Sequence, residues 1–154
     1  MGIPYDHEIT NYLQMKKLMA FVSILLTLFS CKSVHYTPKS YNESQIIAGS
    51  SGGVSGKIRE YCLLDNGQLF MSKGVDGEWK AMRKLKKSTT RDIFKKAGDL
   101  GLERLNFKHP GNMTYFLIIK QPPRFNEIKW GESGISTPDS IKVFHHYLMT
   151  IFQP

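Results

Sequence analysis

The chain predicts an α+β fold: an antiparallel sheet of about five strands, in the order β-β-β-α-β-β-α, with the helices packed on one face. Three observations carry this expectation. An Asn66-Gly67 pair lies between two apolar, strand-like runs. Met113 to Lys120 is a long β-prone stretch, Met-Thr-Tyr-Phe-Leu-Ile-Ile-Lys. Two further segments repeat apolar residues at helical spacing, and antiparallel hairpins with one apolar face need such a layer to cover them.

In chain order, Lys57 to Leu64 reads as the first strand and Leu69 to Ser72 as its return. Asparagine and glycine tolerate the positive φ of a two-residue hairpin turn, so Asp65-Asn66-Gly67-Gln68 is predicted to be that turn. Gly74-Val75-Asp76-Gly77 offers a second turn and Glu78 to Leu85 a third strand, which completes a meander. A helix follows. Ser88, Thr89 and Thr90 supply capping oxygens, and Asp92 stands three after Thr89 in a box-like arrangement. Ile93, Phe94, Ala97 and Leu100 form its apolar stripe, Lys95 and Lys96 fall outside it, and Leu102 and Leu105 continue the packing.

His109-Pro110-Gly111-Asn112 breaks the chain before the Met113–Lys120 run, which reads as a central strand. Gln121-Pro122-Pro123-Arg124 turns it into a strand from Phe125 to Trp130, and Gly131 to Thr137 is a loop. Pro138 suits the first turn of a final helix with Thr137 as its cap. Ile141, Phe144, Leu148 and Ile151 mark the buried face of that helix.

Upstream of these elements the chain has a different character. Met15-Lys16-Lys17 gives a basic start, Leu18 to Phe29 is mostly apolar, and Ser30 precedes Cys31. This is the pattern of a bacterial export signal. Twelve residues of helix rise about 18 Å, short of the roughly 30 Å hydrocarbon core, so a processed signal is expected over a permanent span. Leu28-Phe29-Ser30-Cys31 resembles the lipobox of bacterial lipoproteins. The resemblance implies that Cys31 is acylated, with palmitate among the acyl groups, and becomes the first residue of the mature chain. Met1 to Gln14, with Asp6, His7 and Glu8, fits poorly ahead of such a signal and is expected to be an over-extended start.

The expected organisation is therefore 1–14 over-extended start, 15–30 signal peptide, 31–51 tether, and 52–154 a single α+β domain. The tether reading rests on the Ser, Tyr, Thr and Asn content of Lys32 to Ser51, with Pro38 and without clear periodicity. About 124 residues follow from Cys31, enough for one domain. Cys31 and Cys62 are the two cysteines. With Cys31 lipidated, Cys62 has no partner, and its apolar strand suits a buried, inert thiol.

Net charge is +8, and it is concentrated. Lys80, Arg83, Lys84, Lys86, Lys87, Arg91, Lys95 and Lys96 stand against one acid, Asp92, between positions 80 and 96. Such a cluster suits anionic lipid or polysaccharide, or else is a solvated face. Nucleic acid does not suit an envelope protein.

Motifs of catalysis are weak throughout. The Ser50–Gly56 glycine cluster lacks the spacing of a phosphate loop, with Ser51 and Ile58 at positions that need Gly and Ser or Thr. His145 and His146 are adjacent on a helix and diverge by about 100°, so they do not chelate one ion. Gly131-Glu132-Ser133-Gly134 departs from the G-x-S-x-G elbow at Ile135. No metal, cofactor or catalytic set is expected.

The pattern of Tyr61–Leu69, Asn106–Phe116, Lys129-Trp130-Gly131 and a closing helix resembles small uncharacterised bacterial lipoproteins. The likeness covers roughly Gly52 to Phe152 and implies structure, not an activity. Lys32 after the cysteine, where aspartate retains enterobacterial lipoproteins at the inner membrane, implies the outer membrane. The expectation is a lipid-anchored, non-catalytic accessory or binding module of the cell envelope, with an unknown protein partner. Two alternatives stand beside it: a hydrolase using Ser133 or a histidine, and a binder of anionic lipid or polysaccharide through residues 80–96.

Overall fold

Gln45-Ile46-Ile47-Ala48-Gly49 is wholly buried, and this segment organises the sheet. In the computed structural model the described residues are 36–153 apart from 54, 55, 75 and 76, together with Met15, Lys16 and Met19. Two units divide the chain, Met1–His35 and Tyr36–Pro154. In the first, Met15, Lys16 and Met19 are helical and exposed. Cys31 and most of the signal segment lie outside the described residues. No helix among the described residues is long and apolar enough to cross a membrane.

The second unit contains β1 (Gln45–Gly52), β2 (Arg59–Leu64), β3 (Gln68–Lys73), β4 (Lys80–Lys84), α1 (Lys87–Asp99), β5 (Lys108–His109), β6 (Met113–Gln121), β7 (Arg124–Trp130) and α2 (Asp139–Phe152). The fold is α+β, with one mixed sheet of order β4-β3-β2-β1-β6-β7-β5. Among the described residues it has seven strands where about five were expected. Two additions account for the difference. β1 lies in the stretch read as tether, and β5 pairs parallel with β7 through Lys108–Lys129 and His109–Trp130, so the sheet is not purely antiparallel. The domain therefore begins well before residue 52: Pro38 and Tyr41 are already buried.

β1 is a strand because of its partners. It pairs with β2 from Gln45–Leu64 to Ser50–Arg59, and with β6 from Gln45–Lys120 to Gly52–Met113. Its serines and glycines weaken local β-propensity, but a strand flanked on both sides has its backbone groups paired and buried. Gly49 is required at a close approach: a Cβ there would stand 2.4 Å from the Arg59 carbonyl oxygen and 2.7 Å from the Phe116 ring.

Alternation sorts the side chains into two layers. Ile46, Ala48, Tyr61, Leu63, Leu69, Leu117, Ile119, Ile128 and Trp130 face the helices, which contribute Ile93, Ala97, Ile141, Phe144, Leu148 and Phe152. Both helices lie on that face, as expected. The opposite face carries Ile47, Cys62, Leu64, Phe70 and Phe116, with Tyr41, Trp79 and Ile118 packed over them. Phe116 and Ile118 share a face, and it is this one. Cys62 is fully buried, its thiol donates toward Gln45 Oε1 at 3.6 Å, and burial pushes its pKa up to about 12. This is the inert thiol that the sequence predicts.

The Asn66-Gly67 hairpin forms, with Gly67 at φ +91° and the Asn66 side chain accepting from the Gln68 amide at 2.9 Å. The third strand shortens to Lys80–Lys84. The predicted cap of the next helix does not form. α1 starts at Lys87 with Lys86 as its N-cap and no side-chain cap, while Thr90 Oγ1 donates back to the Lys86 carbonyl at 3.1 Å. Leu85 is held by a bond from its amide to the Gly67 carbonyl, 2.8 Å, so the helix begins directly beyond it. Leu100 is the exposed C-cap, whereas Ile93 and Ala97 are buried and Leu102 continues the core. In α2, Pro138 is the N-cap with extended ψ 135°, not the first helical residue, and Thr137 makes no capping bond. Phe152 takes the buried position expected for Ile151.

The helices cross the strands at opposite ends of the sheet. α1 sets out beside Gly67, and the chain beyond it is held by Asn126, whose amide donates to the Leu102 and Leu105 carbonyls at 2.7 and 2.9 Å. α2 runs from Trp130, which His145 touches, toward β4, where Arg83 donates to the Ile151 carbonyl. α1 thus spans the leading end of the sheet, where Gln45 meets Leu64 and Lys120. α2 spans the trailing end, where Gly52 meets Met113.

Candidate functional site

The eight basic residues singled out from the sequence are all exposed, and the fold divides them. Lys84 closes β4 opposite Gln68 at the leading end. Lys86 and Lys87 follow at the start of α1, and Arg91 lies one turn on, on the same flank as Lys87. Lys80 pairs opposite Met71, four residues or about 13 Å further along the strand. Lys95 is bound to Asp99 at 2.6 Å. The Lys96 ammonium sits 4.7 Å over the Tyr147 ring, facing α2. Arg83 is spent on the α2 carbonyl. Lys84, Lys86, Lys87 and Arg91 therefore gather, and among the described residues no carboxylate pairs with them.

Sequence reasoning missed the rest of that end. The register brings Lys120, Arg124 and Phe125 of the β6–β7 hairpin to it, and Phe125 is 63% exposed. Tyr36 also stands there, edge-on to Tyr41 at 5.2 Å, with Tyr41 bonded to Asp65 at the end of β2. Burial and the Asp65 carboxylate hold the Tyr41 hydroxyl protonated, well above the usual phenol range. The hairpin was visible as a turn; its place beside the basic residues depends on β1, which was not.

The trailing end carries a second feature. Gly49, Ser50, Arg59, Tyr61, Tyr115, His145, Met149 and Gln153 line a groove of about 170 Å³. His145 meets Trp130 at 5.0 Å and 88° and Tyr115 at 5.7 Å and 73°. Burial lowers its pKa, the Gly49 backbone opposes that shift, and the neighbouring His146 adds to it. The groove adjoins a shallow depression of about 400 Å³ that shares Arg59, Tyr61 and Gln153. Its aromatic contacts stabilise α2 on the sheet.

Ser133 lies in the exposed loop before α2, and no hydrogen bond joins it to a histidine among the described residues. His109 Nδ1 approaches Glu132 Oε2 at 3.2 Å, while His146 is exposed. The described residues bring no three metal-ligating side chains together. No known protein family matches the chain, and no curated protein matches it.

Proposed function

We propose that the chain is a lipid-anchored, non-catalytic binding module of the bacterial cell envelope, held in the outer membrane through Cys31. The observation that carries this reading is the run from Lys16 through the apolar Leu18–Phe29 segment to Ser30-Cys31, followed within five residues by a unit with its own sheet and core. An export signal ending on a cysteine leaves a small domain with one attachment point. The residues of that domain are committed chiefly to packing, and its charge to a surface. Lys32 is the feature that favours the outer membrane.

Metabolic labelling with an alkynyl fatty acid tests the proposal. The protein should take the label, and Cys31→Ala should abolish it and release the chain from the membrane fraction. Labelling that persists in Cys31→Ala, or recovery with inner membrane alone, counts against the anchor or its address respectively.

A further inference from the structure

We infer that the leading end of the sheet is a membrane-docking surface, which seats on the anionic lipid headgroups of the bilayer that anchors Cys31. The inference rests on the acylation of Cys31 proposed above and adds the orientation and the lipid class. Five residue steps separate Cys31 from Tyr36. Fully extended, they reach about 18 Å at most, so the domain is held against the bilayer and does not swing on a long tether. The surface nearest the attachment is the one on which Tyr36 stands. Tyr41 and Asp65 tie that segment to the end of β2, where β1 begins.

The chemistry of this end suits a lipid surface. Lys84, Lys86, Lys87 and Arg91, all exposed, and the half-buried Lys120 supply positive charge across the strand ends, and Arg124 adds a guanidinium shared with Glu103. Its acids are largely engaged within the protein: Asp65 accepts from Tyr41 and the Ser44 amide, and Glu103 faces Arg104 and Arg124. Glu43, and Asp92 beside Arg91 on α1, are the exposed exceptions. Phe125, 63% exposed on the hairpin, and Tyr36, 45% exposed, add an apolar and an interfacial aromatic side chain. The five-residue link to Cys31 favours the bilayer over a polysaccharide as the occupant.

One local cost supports a function for the cluster. Lys86 and Lys87 occupy the start of α1, where the helix dipole disfavours cations and where Ser or Asp would satisfy an open amide. A position that departs from the local rule without a compensating contact points to a use outside the fold. Each basic residue close to an anionic surface strengthens association about fivefold.

The test uses the full acylated protein in phosphatidylglycerol-containing vesicles that carry a lipid-borne quencher. A fluorophore is attached through Phe125→Cys at the leading end or through Ile135→Cys, an exposed apolar position in the loop before α2. Cys62 should stay unlabelled while the fold is intact, and Glu43→Cys gives a second reporter at the leading end should Phe125→Cys disturb it. The leading-end label should be quenched and the Ile135→Cys label spared. Quenching should weaken with salt, in purely zwitterionic vesicles, and in Lys84→Gln/Lys86→Gln/Lys87→Gln, where the docked-to-undocked ratio falls about a hundredfold. Equal quenching at both positions, or none at the leading end of protein that carries its fatty acid, overturns the docking surface. Absence of the fatty acid from the same sample instead overturns the anchor on which it rests.

Discussion

His145 shows how a residue that looks like a functional candidate becomes a packing element. Its ring is set edge-on to Trp130 and Tyr115, and its Nε2 is buried with no hydrogen-bond partner among the described residues. Burial lowers its pKa from the ordinary 6.5. The sign follows by linkage. Above that ordinary value the ring is neutral in both folded and unfolded chains, and the contribution is fully present. As pH falls through it toward the lower folded value, the unfolded chain takes up the proton first and stability is lost. Urea unfolding at neutral pH and at about pH 5 should therefore show an acid-side loss that His145→Gln reduces. An equal loss in wild type and variant would mean that the ring is well solvated. The sequence placed His145 on a helix beside His146 and ruled out joint chelation. It could not show which of the two turns inward, because that depends on where α2 crosses β6 and β7.

Elements were legible where the signal is local. The Asn66-Gly67 turn, the buried stripe of Ile141, Phe144 and Leu148, and the Met113–Lys120 strand all follow from spacing and turn chemistry. They failed where tertiary context decides. β1 reads as part of a polar tether because Lys32 to Ser51 is rich in Ser, Tyr, Thr and Asn and lacks clear periodicity, yet its two partners lie further along the chain. β5 is two residues long and owes its existence to β7. The start of α1 is set by Leu85 on Gly67, which leaves Ser88, Thr89 and Thr90 inside the first turn and unable to cap it. Lys86 has the extended backbone, φ −61° and ψ 143°, that a capping side chain requires. Lys86→Asp should consequently stabilise the domain by about 0.5–2 kcal/mol, seen as a higher melting temperature. The same change should weaken vesicle docking. An unchanged or lower melting temperature would show that the Lys86 side chain already supports the helix.

At the scale of the molecule, the boundary between anchor and domain is the consequential difference from the sequence reading. A tether through residue 51 could be shortened freely, whereas a domain that starts at Tyr36 cannot lose its first segment. β1 joins two blocks, β4-β3-β2 on one side and β6-β7-β5 on the other, and it contributes Ile46 and Ala48 to the helix-side core and Ile47 to the opposite layer. Deleting 36–52 would expose the facing edges of β2 and β6 together with both apolar layers. The expected result is a chain without a cooperative melting transition and open to proteolysis, since losing several buried side chains at about 2–5 kcal/mol each exceeds the roughly 5–15 kcal/mol of a typical domain. Inserting a flexible Gly/Ser segment between His35 and Tyr36 makes the opposite intervention. It interrupts no strand pairing in the domain and should leave the melting temperature unchanged, while the longer leash loosens the docking of the leading end. Differential scanning calorimetry of both variants decides the boundary: a deletion that still melts cooperatively near the wild-type temperature would return 36–52 to the tether, and an insertion that destabilises the domain would extend the folded unit upstream of Tyr36.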